Sequence, residues 1–113
     1  MRIVCKMKFM SKTLTGLCAC PGEVKGTIQY YKAGEQYNKG DIVVLNEWVT
    51  QNVAALKDVG GLLSSIGGLT CHASIIAREY DIPCLVSVHG LEELKSGTQV
   101  FLDAAAEEIN VYE

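Results

Sequence analysis

The chain has 113 residues, 49% hydrophobic and 20% charged, which fits one globular domain and excludes a disordered chain. Its net charge of −3 offers nothing to a nucleic acid or an anionic membrane. No apolar stretch approaches a membrane span, and the basic start (Arg2, Lys6, Lys8, Lys12) lacks the apolar run of a secretory signal, so a soluble, cytoplasmic protein is expected. The five cysteines, Cys5, Cys18, Cys20, Cys71 and Cys84, are odd in number and scattered. That argues against a disulfide framework. Cys18 and Cys20 form a C-x-C with no second close pair to complete a zinc site, so no metal is expected.

In chain order, "ACPGEVKG" (19–26) reads as a turn and "TIQYY" (27–31) as a strand. "KAGEQYNKGD" (32–41) reads as a loop, and "IVVL" (42–45) as a short buried strand. Residues 50–59 have helical spacing at Val53, Ala54, Leu56 and Val59, and Gly60-Gly61 ends the run. "LLSSI" (62–66) reads as a strand, residues 71–80 as a helix, and "CLVSV" (84–88) as a continuous apolar strand. "TQVFLD" (98–103) and "EINVY" (108–112) close the chain as a strand pair. This is the pattern of a mixed α/β domain with helices over part of a sheet. The strand order does not follow from it.

The chemistry concentrates in "GGLTCHASIIAREYDIPC" (67–84). Gly67 and Gly68 permit a tight turn and close approach to the backbone. Thr70 is the N-cap candidate, with Cys71 and His72 as the first helical positions. Ala73, Ile76, Ala77 and Tyr80 recur at helical spacing, and Asp81 and Pro83 end the helix. A helix start offers unpaired N–H groups and partial positive charge, and so favours phosphate. The same field disfavours imidazolium, which leaves His72 a neutral nucleophile. A phosphoryl group captured there would lie against the N–H groups and Thr70, with Gly67, Gly68, Cys71 and Ala73 as the phosphate-binding surround. On physics alone a histidine in a first helical turn is more often a plain surface residue. His89, the other histidine, is read as a turn residue rather than a partner.

This stretch resembles the signature of the phosphohistidine, or swivelling, domain of phosphoenolpyruvate-utilising enzymes, nearest to the phosphoenolpyruvate synthase and pyruvate phosphate dikinase types. Gly67, Gly68, Thr70, His72, Ala73, Ile75, Ala77, Arg78, Glu79, Ile82 and Pro83 fit it without a gap. "GLCACPGEVKG" (16–26), "KGDIVVLNEWVT" (39–50) and "LKSGTQVFLDA" (94–104) resemble its other segments. Residues 1 to 12 have no assigned counterpart within a single domain spanning 1–113. Ser64, Ser65 and Ser87 depart from the usual pattern, and "AAAEE" (104–108) lacks the glycines often found there.

The resemblance implies a single swivelling β/β/α domain. It implies that His72 is phosphorylated on a ring nitrogen with Thr70 in support; Arg78 and Glu79 match the signature too and are read as structural residues that tie the helix to neighbouring loops. It also implies ATP-grasp-type nucleotide-binding and phosphoenolpyruvate-binding partners, which would supply magnesium with ATP or phosphoenolpyruvate. No cofactor is expected in this chain, which has room for neither an ATP-grasp unit nor a barrel. Met1 and the unassigned start point to a stand-alone carrier subunit over an excised domain. The alternative is a regulatory module of the same fold that binds a phosphorylated ligand or a protein without covalent chemistry.

Overall fold

The computed structural model describes residues 10–32, 36–45, 56–66 and 72–112. Its strands are β1 (Met10–Thr15), β2 (Leu17–Cys20), β3 (Glu23–Tyr30), β4 (Asp41–Val44), β5 (Gly61–Leu63), β6 (Cys84–Val86), β7 (Gln99–Asp103) and β8 (Glu108–Tyr112). Helix α1 (His72–Tyr80) joins β5 to β6, and a short 3-10 turn covers Leu91–Glu93. The strands form one mixed sheet in the order β1-β8-β7-β3-β4-β5-β6-β2. Neighbours β3 through β6 are parallel, and the remaining pairs are antiparallel.

The two ends of that order, β1 and β2, are consecutive stretches of chain separated by Gly16 alone. The sheet therefore closes on itself around a corner. A Cβ at Gly16 would lie 2.8 Å from both the Val86 carbonyl oxygen and Val88 Cγ2, so the corner has room for glycine only. Glu107 fastens it: its carbonyl accepts the Gly16 N–H (3.3 Å) and its carboxylate the Cys18 N–H (2.8 Å).

Alternation along the strands makes two cores. Inside the closed sheet lie Leu14, Ile28, Ile42, Val44, Leu63, Leu85, Val100, Leu102, Ile109 and Val111. On the outer face Val43, Leu45, Leu62, Cys84 and Val86 meet Ala73, Ile76 and Ala77 of α1. Strands β4, β5 and β6 are buried on both faces, which is why their sequences are continuous apolar runs instead of alternating ones. The result is two sheet layers with a helix on one side, the α/β class and β/β/α layering expected.

The expected strands at 27–31, 42–45, 62–66, 84–88, 98–103 and 108–112 all hold strands, each within a few residues. The turn read over 19–26 is corrected. Strand β2 runs to Cys20 and β3 starts at Glu23, leaving Pro21-Gly22 as the turn. Gly26 is no turn residue: a Cβ there would sit 2.0 Å from the Gly40 carbonyl oxygen, so glycine lets the start of β4 approach β3. The expected helix over 50–59 lies outside the described residues up to residue 55. Its end, Leu56 to Val59, is a turn whose Leu56 and Val59 pack into the outer core.

Candidate functional site

Helix α1 starts at His72 and buries Ala73, Ser74, Ile76 and Ala77 against β5 and β6. The spacing leaves His72, Ile75 and Glu79 along the outward side, with Ile75 45% exposed. The helix ends where its sequence says it should. Asp81 takes a left-handed φ of 58°, the Ile82 N–H donates to the Ala77 carbonyl at 2.9 Å, and both Ile82 and Ala77 lie in the outer core. That is a Schellman cap with its apolar contact, and Pro83 follows it. Arg78 in the last turn adds positive charge at the negative end of the helix.

His72 is half-buried. Desolvation by its surroundings pulls its pKa below the ordinary value of 6.5. The cause is burial, which penalises the charged imidazolium and favours the neutral ring. Ala73 is 2% exposed, and its carbonyl accepts a weak bond from Cys84 Sγ at 3.9 Å. What Ala73 can offer a ligand is therefore its backbone, not its side chain. Gly67, Gly68, Thr70 and Cys71 lie outside the described residues.

Ser64, 1% exposed, follows β5 directly. Its hydroxyl donates to the Ile66 carbonyl (2.9 Å) and accepts the Ile66 N–H (3.2 Å). A threonine hydroxyl makes the same local turn, so serine here keeps the geometry. Ser87 takes a left-handed φ of 53° after β6, a conformation glycine adopts at least cost. His89 is exposed in a turn, as read from the sequence, and its N–H donates to Thr15 at the closure corner (3.2 Å). Sequence reasoning missed Glu107, whose left-handed φ of 62° and carboxylate bond to Cys18 do the fastening. Its signal, an acidic residue in a glycine-poor turn, has no meaning until Cys18 is placed beside it.

No group of three metal-ligating side chains comes together among the described residues. No helix among them is long and apolar enough to cross a membrane. A concavity of about 380 Å³ lined by Lys25, Gly26, Thr27, Gly40 and Gln99 contains none of the candidate residues.

Comparison with known proteins places the chain. Residues 37–107, more than half of it, match the family described as PEP-utilising enzyme, mobile domain. A probable phosphoenolpyruvate synthase of Methanothermobacter thermautotrophicus is 35% identical over 88 residues, covering 75% of this chain and 13% of that protein. The chain thus spans a small part of the curated relatives it matches. Among solved structures, aconitase X of Thermococcus kodakaraensis superposes with a TM-score of 0.72 at 19% identity, covering 91% of this chain and all of that one. A solution structure of an Enzyme I protein gives 0.52 at 26% identity, covering 69% of this chain and 31% of that one. The His72 helix falls within the matched segment, and the chain belongs to the family of PEP-utilising enzyme mobile domains.

Proposed function

We propose that this chain is a phosphoryl carrier in which His72 accepts a phosphoryl group at one partner site and gives it up at another. A ring-nitrogen lone pair of His72 attacks phosphorus, a P–N bond forms, and the P–O bond to the enolate of phosphoenolpyruvate or to the nucleotide breaks. Return transfer reverses the step onto the next acceptor. The observation that carries this reading is a half-buried imidazole at the head of α1, its proton affinity lowered by burial, within a family-matched segment. Gly67, Gly68, Thr70, Cys71 and the Ala73 backbone are the proposed phosphate surround. Magnesium, ATP or phosphoenolpyruvate, and the positive groups that steady the transferring phosphoryl, belong to the partners, of nucleotide-binding and phosphoenolpyruvate-binding type. A partner site that reaches His72 must also cover Ile75, one turn along the same side. The proposed setting is cytoplasmic.

The test is incubation with a phosphoenolpyruvate synthase-type enzyme and either ATP or phosphoenolpyruvate, followed by intact-mass measurement. An acid-labile, alkali-stable phosphoryl adduct is expected on the wild type, falling by about three orders of magnitude or more in rate in His72→Ala. An adduct that survives this substitution overturns the reading. The structural likeness to aconitase X shows that the fold itself does not commit the chain to phosphoryl chemistry. That keeps a second reading in play, a module that binds a phosphorylated ligand non-covalently. Saturable ligand binding with no adduct from either donor would favour it.

A further inference from the structure

The C-x-C of β2 has no part in this chemistry, yet the fold gives it a partner. Strand β2 carries a bulge: Cys18 opposes Leu85, but Cys20 rather than Ala19 opposes Cys84. The extra residue sets Cys20 on the outer face, where it packs in the same core as Cys84, while Cys18 leans on the inner one. Two cysteines therefore stand directly across an antiparallel pair with their side chains on one face. Residues so opposed lie about 4.5–5.5 Å apart at Cα, within the roughly 4.4–6.8 Å that disulfides span.

We propose that Cys20 and Cys84 are a redox-sensitive pair, joined into a reversible disulfide by hydrogen peroxide. The Cys20 thiolate attacks a peroxide oxygen, releasing one water and leaving a sulfenic acid. The Cys84 sulfur then displaces its hydroxyl as a second water. Two thiols lose two electrons and two protons in all, and hydrogen peroxide is reduced to two waters. Cys20 is 5% and Cys84 0% exposed, and burial first, then Asp81, pushes the Cys20 thiol up. The bond therefore forms slowly, at the rate at which β2 loosens from β6. Its location gives it an effect. It ties the end strand β2 to β6 beneath α1, replacing the Cys84 bond to Ala73 in the first turn and fixing Cys20 beside Asp81, 4.0 Å away at the helix end.

The full chain is treated with excess hydrogen peroxide, denatured in an alkylating agent and mapped by non-reducing peptide mass analysis. The expected product is a Cys20–Cys84 linked peptide, about 2 Da lighter than the sum of its parts and lost on reduction. The oxidised chain should melt about 10 °C higher, because the bond closes a long loop in the unfolded state. Cys18→Ser should keep both the link and the shift, and Cys20→Ser should lose both. Recovery of Cys20 and Cys84 unlinked, oxidised only to sulfinic acids, or joined to other cysteines instead of each other overturns the proposal. The readout needs no phosphoryl transfer, so it stands or falls apart from the carrier reading.

Discussion

At the scale of single residues, the site rests on the proton balance of His72. Burial lowers its pKa in the folded chain, so the unfolded chain takes up the proton first. The stability tied to this ring is complete above about pH 6.5 and is lost as pH falls through the folded value. Wild type should therefore lose stability relative to His72→Gln between pH 7.5 and 5, measured by urea unfolding in a His89→Gln background that leaves one imidazole to follow. If the proposed carrier role holds, phosphoryl uptake should keep its rate to below pH 6.5, since burial favours the neutral ring there. An NMR titration placing this imidazole above 6.5 would contradict both expectations. The place of the residue was legible in sequence: an imidazole followed by an apolar helical stripe, ended by Asp81 and Pro83, puts His72 at the head of a helix, and α1 starts there. The role of Ser87 was not. Its departure from the usual pattern has no meaning until the structure shows φ at 53°, a conformation that non-glycine residues tolerate at some cost.

At the scale of elements, legibility followed burial. Strands β4, β5 and β6, apolar on both faces, stood out as runs, and α1 showed its period and its stop. Strands β1 and β2 did not: "MSKTLT" is largely polar, and "LCAC" is cut short by Pro21. Glycine punctuation misled in β3, because Gly26 serves packing between strands and not a turn. Two substitutions separate these uses. In Gly26→Ala the new Cβ meets backbone, the Gly40 carbonyl oxygen at 2.0 Å, and the β3–β4 ladder must open. A loss of about 3 kcal/mol is expected, a fall in Tm of more than 10 °C. Gly40→Ala meets nothing within 4 Å and carries no positive φ, so it should be neutral or stabilising by up to about 1 kcal/mol. Thermal unfolding of the pair decides the matter, and equal effects would refute the assignment of Gly26 to close approach.

At the scale of the whole molecule, the decisive feature is closure, and it is the least legible. Strand β1 pairs with β8, the two ends of the described chain, and β2 turns away at Gly16 to pair with β6. No local pattern encodes a contact of that sequence separation; only the assembled sheet shows that its two edges are one bent strand. The fastening is Glu107, and it substitutes for what a glycine would do in the same turn. A glycine takes the left-handed φ without strain; glutamate bears a cost of about 1–2 kcal/mol for it. In return it gives the Cys18 N–H a charged acceptor at 2.8 Å, which at an exposed position contributes about 1 kcal/mol. The two substitutions at this position should then differ. Glu107→Ala keeps the strain and loses the acceptor, lowering stability by about 1 kcal/mol. Glu107→Gly loses both and stays close to wild type. Urea unfolding of the three proteins measures the difference, and amide exchange at Cys18 locates it, since that N–H should exchange faster in both variants while amides of α1 do not. If alanine and glycine prove equally damaging, the corner is held by the backbone bond from Gly16 to the Glu107 carbonyl and not by the carboxylate.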